Sequence, residues 1–376
     1  MRPHSPRLLL GLALACAAGG CGPLGRALSY ASIDPVLDVG WYEPSAVVPG
    51  DPAAPALVRE RSHALDSSAL DQAEAYAARM NSCALLVAHQ GRIVRERYWC
   101  GLDADSRPNS MSLAKTPLAL LVGVALEEGT LRSLDDPLSR YLAEWSRDAR
   151  GRVTLRHLLE MSSGLGDAIA GLHLGDHLED ALLSRAAERP PGQAFEYNSA
   201  NTQLLALVLE RATGRPYAEL LSERLWRPLQ AGEARVWLDT PGGHARTYCC
   251  LFATARDWLR VGLLMQSRGC WAGRQVVPEA WIEAMLTPSA LEPSYGKHVW
   301  LGYTRPPSRE ADWSEPFAAT DTFMLVGAAE QRVYVVPSRE LVIVRLGHEA
   351  PGWDDPALPN LLVRALAAAT HPAPPG

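Results

Sequence analysis

Lysine is almost absent from this chain of 376 residues. Of its 36 basic residues only Lys115 and Lys297 are lysines, and all the others are arginines. An arginine keeps its proton in proteins, whereas a lysine amine can lose it when burial lowers its pKa from about 10.4. Lys115 therefore stands out as a position at which an arginine would not serve.

Other features that the chain lacks exclude whole classes of function. The net charge of −6 and the pI near 6.0 give no support for nucleic-acid binding, which requires a clustered basic face. Beyond the N-terminus there is no uninterrupted apolar run of about 18 residues, so no internal membrane span is predicted. The cysteines do not have the spacing of metal ligands, and we predict neither a metal nor a cofactor.

Residues 1–20 have the pattern of a signal for export. Arg2 and Arg7 precede an apolar stretch from Leu8 to Ala18, and small residues follow where cleavage is predicted. The mature protein is therefore expected to be exported.

The cysteine that follows this signal resembles the lipidated first residue of a bacterial lipoprotein. We predict that Cys21 carries lipid and anchors the protein to a membrane of the bacterial cell envelope, facing the periplasm. Cys16 is a second candidate, although it would leave a very short apolar run. An ordinary cleaved secretory signal with two incidental cysteines is the remaining alternative.

An exported protein can form disulfides, and five cysteines remain after Cys21. Their number is odd, so at least one stays unpaired within the chain. Cys83 and Cys100 flank a predicted β-hairpin and could face each other across it, and we expect a disulfide between them.

The distribution of strand and helix patterns predicts the fold class. Residues 21–60 are rich in Pro, Ala and Gly without periodicity, which predicts a linker before a folded domain at 61–376. Hairpin patterns occur near 84–98 and 332–345, and the region from about 120 to 235 is mostly helical in pattern. We therefore predict an α+β fold, in which an antiparallel sheet flanked by helices is interrupted in sequence by an all-helical subdomain.

Ser112 and Lys115 form the first candidate for a catalytic pair. A helix is predicted from about Leu113 to Glu128, and residues three apart on a helix share one face. A serine hydroxyl becomes a useful nucleophile when a neighbouring base takes its proton, and a buried lysine can be that base. The alternative is a surface lysine that happens to follow a serine, but the apolar stretch after Lys115 is unlike a surface.

Tyr197 is the second candidate. It precedes a predicted helix for which either Asn198 or Ser199 suits the N-cap. A tyrosine held near a lysine can have its phenol pKa lowered and then act as a base or an acid. Taken alone, such a tyrosine is more often a packed aromatic residue with a solvated hydroxyl.

These motifs together resemble a known family. Ser112-Leu-Ala-Lys115, Tyr197-Asn-Ser199 and the late strand are similar to the serine hydrolases of the class C β-lactamase and penicillin-binding-protein group. Within that group the chain looks most like the 6-aminohexanoate-dimer hydrolases and related esterases. The resemblance implies a β-lactamase/transpeptidase-like fold, Ser112 as nucleophile, Lys115 as its partner, and Tyr197 as the shared general base and acid.

The resemblance also assigns backbone groups around the substrate. Gly327 would keep the backbone close to the substrate, and the N–H groups of Ser112 and Ala328 would form the oxyanion hole. Ser199 occupies a substrate-binding position at which the family usually carries Asn. Glu330 falls where the resemblance implies a small residue, so the pocket is expected to differ in shape from that of the family.

The strand beside the site departs from the Lys-Thr-Gly of β-lactamases and transpeptidases. Here the matching residues are Leu325-Val326-Gly327, which offer a substrate carboxylate neither a positive charge nor a hydroxyl. We therefore predict an exported serine hydrolase that cleaves a small ester or amide through an acyl-enzyme. The alternatives are a binding module for envelope material with little or no turnover, and a DD-peptidase.

Overall fold

A six-stranded antiparallel sheet forms the centre of the fold. The structure is a computed structural model that describes residues 23–60, 64–167, 169–302 and 314–370. The strands are β1 Ser45–Val48, β2 Ser82–His89, β3 Arg92–Tyr98, β4 Ala234–Trp237, β5 Leu251–Phe252, β6 Cys270–Trp271, β7 Arg274–Gln275, β8 Trp300–Leu301, β9 Phe323–Gly327, β10 Gln331–Val336 and β11 Leu341–Gly347. The order in the central sheet is β3-β2-β11-β10-β9-β8. Strand β2, near the start of the domain, therefore pairs with β11, near its end.

Helices fill most of the chain between the strands. They are α1 Pro23–Tyr30, α2 Ser67–Arg79, α3 Lys115–Glu127, α4 Leu155–Leu159, α5 Ile169–Leu174, α6 Leu178–Leu183, α7 Ser199–Thr213, α8 Tyr217–Leu221, α9 Ala255–Gln266, α10 Glu279–Met285 and α11 Ala357–Thr370. In the part of the chain that the structure describes, no helix has the length and apolar character needed to cross a bilayer.

Both faces of the central sheet are buried along its inner strands β2, β11, β10 and β9, which are apolar at most positions, whereas the edge strand β3 is mostly charged and partly exposed. In β2, Leu86 and Ala88 contribute to one apolar cluster, and Leu85 and Val87 contribute to another. Helices α2 and α11 cover the second cluster, and α9 and α3 pack into the first. Successive side chains of a strand point to opposite faces, so a continuous apolar run specifies a strand covered on both sides.

This arrangement confirms the predicted fold class. The strands β2 and β3 come before the helical region, and β8 to β11 come after it, while α3 to α8 lie between β3 and β4 in the chain. The helical insertion is attached to the sheet through α3, which enters the apolar cluster beneath it.

The predicted linker at residues 21–60 is wrong for the part that the structure describes. This part contains α1, a 3-10 turn at Val39–Trp41 and strand β1, which pairs antiparallel with β4 in a separate three-stranded sheet. Val36, Tyr42 and Val48 are buried. Periodicity does not reveal this packing, because Val36 and Tyr42 are single buried residues outside the helix and the strand.

The disulfide between Cys83 and Cys100 is confirmed, with its Cα atoms 5.2 Å apart. It closes a loop with a sequence separation of 17, and a loop of this length contributes about 3 kcal/mol by restricting the unfolded chain. A second disulfide joins the adjacent residues Cys249 and Cys250, and Cys270 is free. The predicted signal at 1–20 and the candidate lipidation sites Cys21 and Cys16 lie outside the described residues.

Candidate active site

Ser112 lies in a 3-10 turn, Met111–Ala114, that leads directly into α3. The α-helix itself begins at Lys115, two residues later than predicted. Met111 has a left-handed backbone with φ of 50°, and its N–H donates to the Asn109 side-chain oxygen at 3.1 Å. This bend directs the Ser112 hydroxyl toward the side of the helix that carries Lys115.

Lys115 contacts Ser112, its predicted partner. Its Nζ lies 2.7 Å from the Ser112 Oγ and donates to the Tyr248 carbonyl oxygen at 2.8 Å. The side chain is only 2 % exposed, and its ammonium lies 5.0 Å from the centroid of the Tyr197 ring and 5.9 Å from that of Tyr248. A hydroxyl and a buried amine at this distance can exchange a proton.

The segment that carries the Tyr248 carbonyl is held by α7. Gln203 donates to the Ala245 carbonyl at 2.7 Å and accepts from the Thr247 N–H at 2.9 Å. The Tyr248 hydroxyl lies 3.2 Å from the Nδ1 of His173. Hydrogen bonds on both sides of the segment therefore fix the carbonyl that orients Lys115.

Tyr197 lies in the loop immediately before α7, as predicted. Asn198 is the N-cap, because its side-chain oxygen accepts from the Ala200 N–H at 2.9 Å; this resolves the alternative between Asn198 and Ser199. The Tyr197 ring contacts Trp300, with centroids 5.7 Å apart, and faces the Lys115 ammonium. Tyr197 is thus both a packed aromatic residue and a neighbour of the catalytic candidate.

Ser199 begins α7 and is partly exposed. Asn201, two residues later, does not supply the amide that the family carries at position 199. It is buried, and its side-chain oxygen accepts from the Ser163 hydroxyl at 2.6 Å. The Asn201 side-chain oxygen is therefore already engaged by Ser163.

The end of strand β9 approaches the nucleophile closely. A Cβ at Gly327 would lie 2.8 Å from the Ser110 carbonyl oxygen and 3.1 Å from the Ser112 nitrogen, so only glycine fits here without displacing backbone. Ala328 follows at the exposed start of the β9–β10 turn. The two backbone segments assigned to the oxyanion hole are therefore neighbours.

The Glu330 side chain is hydrogen-bonded to a backbone N–H group. Its carboxylate accepts from the Ala350 N–H at 3.0 Å, and burial raises its pKa above the ordinary value. Ala329 and Glu330 both have left-handed backbones, with φ of 55° and 51°. Glu330 is therefore part of a tightly supported turn.

The strand residues that replace Lys-Thr lie in apolar surroundings. Leu325 is buried in the cluster that contains α3, and Val326 is partly exposed and packs on the cluster that contains Trp300. Arg332 pairs with Val326 across the strands, but its guanidinium is bound to Asp355 at 2.6 Å. Leu325, which matches the lysine of Lys-Thr-Gly, is thus in apolar surroundings. Arg332, on the neighbouring strand, already forms an ion pair with Asp355.

His298 is a residue of the site that the sequence analysis missed. Its Nδ1 lies 3.1 Å from the Leu159 carbonyl, which can only accept, so Nδ1 carries the hydrogen and Nε2 accepts from the Thr202 hydroxyl at 3.1 Å. Burial, helped by the positive charge of Lys115, lowers the pKa of His298 to about 3 and keeps the ring neutral. No local pattern marks this residue, because these partners are 139 and 96 positions away in the chain.

Comparison with known proteins gives a family match over most of the chain. The family model described as Beta-lactamase matches residues 67–368. The chain is 28% identical over 334 residues to the 6-aminohexanoate-dimer hydrolase of Paenarthrobacter ureafaciens, and the alignment covers 83% of each chain. It is also 28% identical over 174 residues to the D-aminopeptidase of Brucella anthropi, covering 42% of this chain and 33% of that enzyme.

Solved structures show the same fold. A protein of Bacillus anthracis, assigned as a candidate 6-aminohexanoate-dimer hydrolase, aligns with a TM-score of 0.74 at 21% identity and covers 90% of this chain and 94% of its own. The penicillin binding protein from Bacillus halodurans aligns with a TM-score of 0.59 at 18% identity, over 79% of this chain and 99% of its own.

Proposed function

The chain belongs to the beta-lactamase family of serine hydrolases, and on that basis we propose that it cleaves an uncharged ester or amide through an acyl-enzyme on Ser112. The observation that carries the proposal is the 2.7 Å contact between the Ser112 Oγ and the buried Lys115 Nζ. A buried amine beside a hydroxyl at a helix entry has little structural use, whereas it can activate a nucleophile.

The proposed reaction has two stages. The Ser112 Oγ attacks the substrate carbonyl carbon while its proton passes to Lys115 or Tyr197, and the N–H groups of Ser112 and Ala328 receive the developing oxyanion. The intermediate collapses, the bond to the alcohol or amine breaks, and the leaving group takes the proton. Water then attacks the acyl-enzyme, with the same groups handling its proton, and releases the carboxylic acid.

An active-site-directed fluorophosphonate probe tests the nucleophile. We expect the wild type to be labelled, and Ser112→Ala to lose both labelling and turnover while its circular dichroism stays unchanged. Equal labelling of the variant would remove Ser112 from the mechanism. A folded wild type that neither reacts with the probe nor turns over esters or amides would instead favour an envelope-binding module, which the departure at Ser199 would suit.

The proposed substrate class follows from the apolar strand beside the site. Two of the relatives are named 6-aminohexanoate-dimer hydrolase and D-aminopeptidase, and a peptidase cleaves an amide bond, so amide bonds are within the family's range. β-Lactams and DD-peptidase substrates carry a carboxylate near the scissile amide. Leu325 and Val326 would leave it unpaired, and a buried unmet hydrogen bond costs about 1–3 kcal/mol, more when charged.

Comparison of nitrocefin with a p-nitrophenyl acyl ester on one preparation tests this preference. We expect the ester to have the higher kcat/KM, with nitrocefin disfavoured by at least about tenfold. A clear preference for nitrocefin would contradict the assignment of an uncharged substrate. A panel of short amides in the same assay distinguishes an amidase from an esterase.

We further propose that the enzyme is exported and held at the envelope membrane by lipid on Cys21. Helix α1 begins at Pro23, so only one residue would separate the anchor from this helix. In a bacterial host, Cys21→Ala should release the protein from the membrane fraction, whereas Cys16→Ala should leave it there. Membrane association of the Cys21 variant would contradict the assignment.

A further inference from the structure

The turn between β9 and β10 is held from beneath by buried side chains. Arg345, fully buried, donates to the carbonyl oxygens of Ala329 at 2.7 Å and Glu330 at 3.0 Å. The Gln331 side chain also donates to the Ala329 carbonyl, at 3.1 Å. These bonds offset the steric cost of two successive non-glycine residues in the left-handed conformation.

One further hydrogen bond is made to the Gly327–Ala328 peptide group, whose N–H is assigned to the oxyanion hole. The Arg332 Nη1 donates to the Gly327 carbonyl oxygen at 3.0 Å. That carbonyl and the Ala328 N–H belong to the same peptide group. Arg332 therefore binds the opposite end of the group whose N–H is assigned to the oxyanion hole.

We propose that Arg332 is a positioning residue that orients and polarises the Gly327–Ala328 peptide as an oxyanion donor. A cation bound to an amide oxygen draws electron density toward it and makes the N–H of the same amide a stronger donor, by the cooperativity known for chains of hydrogen bonds. The bond also prevents rotation of the peptide plane, so the N–H keeps its direction. The inference rests on the proposed acyl-enzyme mechanism.

The surroundings of Arg332 suit this role. Its Nε donates to the Asp355 carboxylate at 2.6 Å, and that carboxylate also accepts from the Tyr334 hydroxyl and the Trp353 indole, each at 2.8 Å. Arg332 is 4 % exposed and Asp355 is fully buried. A buried pair of this kind is weak evidence for stability, because desolvation offsets the attraction, but it fixes the guanidinium in one orientation.

This role predicts a particular kinetic signature. Stabilisation of an oxyanion acts on the transition state, so loss of Arg332 should lower kcat more than it changes KM. The signature is sharper when the substrate oxygen is replaced by sulfur. A thionoester develops its charge on sulfur, which accepts hydrogen bonds weakly and gains little from the oxyanion hole.

The experiment compares a p-nitrophenyl ester with the matching thionoester in Arg332→Gln and Arg332→Lys. Removal of a whole oxyanion donor costs about 10²–10³ in kcat, so weakening one should lower turnover of the ester, and the ester-to-thionoester ratio, about tenfold in Arg332→Gln. Arg332→Lys keeps the charge beside Asp355 but lacks the planar fork, and we expect a smaller fall in the same ratio.

The matched control is Arg260→Gln, which breaks another buried pair, with Asp257 at 3.2 Å. It should lower the melting temperature while leaving the ester-to-thionoester ratio unchanged. An unchanged ratio in a folded Arg332 variant, Gln or Lys, would overturn the inference. Probe labelling of Ser112 separates the two proposals: if Ser112 is labelled and the ratio does not move, only the role of Arg332 fails.

Discussion

The two lysines of this chain are both buried, yet their surroundings differ in kind. Lys297 is 4 % exposed, and its Nζ lies 3.0 Å from a Glu160 carboxylate oxygen and donates to the Ala284 carbonyl. Lys115 contacts a serine hydroxyl, a carbonyl and the faces of two tyrosine rings. The first environment fixes a positive charge with an opposite charge. The second places an amine beside a group that has a proton to give.

The comparison shows that burial alone does not identify a catalytic lysine. A carboxylate partner stabilises the charged amine and favours retention of its proton. A hydroxyl partner and burial suit an amine that takes part in proton transfer. The contacts of Lys297 require only a positive charge, whereas the proposed role at position 115 requires an amine that can lose its proton.

The largest expected effect is at Lys115. Lys115→Arg keeps the charge but removes the ability to deprotonate, so kcat/KM for a p-nitrophenyl acyl ester should fall by about 10² or more. Turnover close to that of the wild type would mean that Lys115 acts only as an electrostatic neighbour, and the contrast with Lys297 would disappear.

Tyr197 should show an effect of similar size. Tyr197→Phe keeps the ring contact with Trp300 and removes only the hydroxyl, so the packing is preserved while the shared acid and base is lost. We expect a loss of about 10² in kcat/KM, with little change in melting temperature. A loss below about threefold would return Tyr197 to a packing role.

Lys297→Arg is the matched control for the Lys115 variant. Arginine can keep the ion pair with Glu160, so kcat/KM should stay within about twofold of the wild type. Fitting the larger guanidinium into a packed site should lower the free energy of unfolding by about 1–3 kcal/mol, as measured by denaturant titration. A loss of activity as large as that of Lys115→Arg would show that replacing either buried lysine by arginine impairs activity, whatever its role.

His244 extends the comparison to a second cation held by carboxylates, and its effect should be the smallest. Its hydrogen bond to Glu210, with Nδ1 and the carboxylate 2.6 Å apart, raises the pKa of His244 to about 9, and Glu179 lies 3.0 Å from Nε2. Because the folded pKa lies above the ordinary 6.5, the stabilisation is fully present below about pH 6.5 and lost as the pH rises through about 9.

The wild type should therefore exceed His244→Gln in unfolding free energy by at most about 1 kcal/mol at pH 6, and the difference should vanish above about pH 9.5. His244→Gln and the wild type should have the same turnover at each of these two pH values. If the difference in unfolding free energy grew with pH, the pKa of His244 would be lowered in the folded protein rather than raised.

The sequence could predict the parts of the site that depend on local spacing. Ser112 and Lys115 are three residues apart at a helix entry, and Tyr197 precedes a capped helix, so neighbouring residues alone place both groups. Hairpin patterns likewise predict the strands β2, β3, β10 and β11 of the central sheet, because each hairpin depends on a turn and on alternation within a few residues.

The remaining parts depend on contacts between distant segments, which no local pattern encodes. His298 is fixed by Leu159 and Thr202, and Arg332 by Asp355, through hydrogen bonds between residues that are 139, 96 and 23 positions apart in the chain. Residues 23–48 were predicted as part of a linker for the same reason, since β1 has its partner at β4, almost 190 positions further along the chain.

The most direct test of the central claim is to trap the acyl-enzyme. Wild-type protein mixed with a p-nitrophenyl acyl ester and quenched in acid during the first turnover should gain the mass of one acyl group. Peptide mapping should place that group on Ser112, and Ser112→Ala should show none. An acyl group on another residue, or continued turnover by Ser112→Ala, would contradict the proposed mechanism.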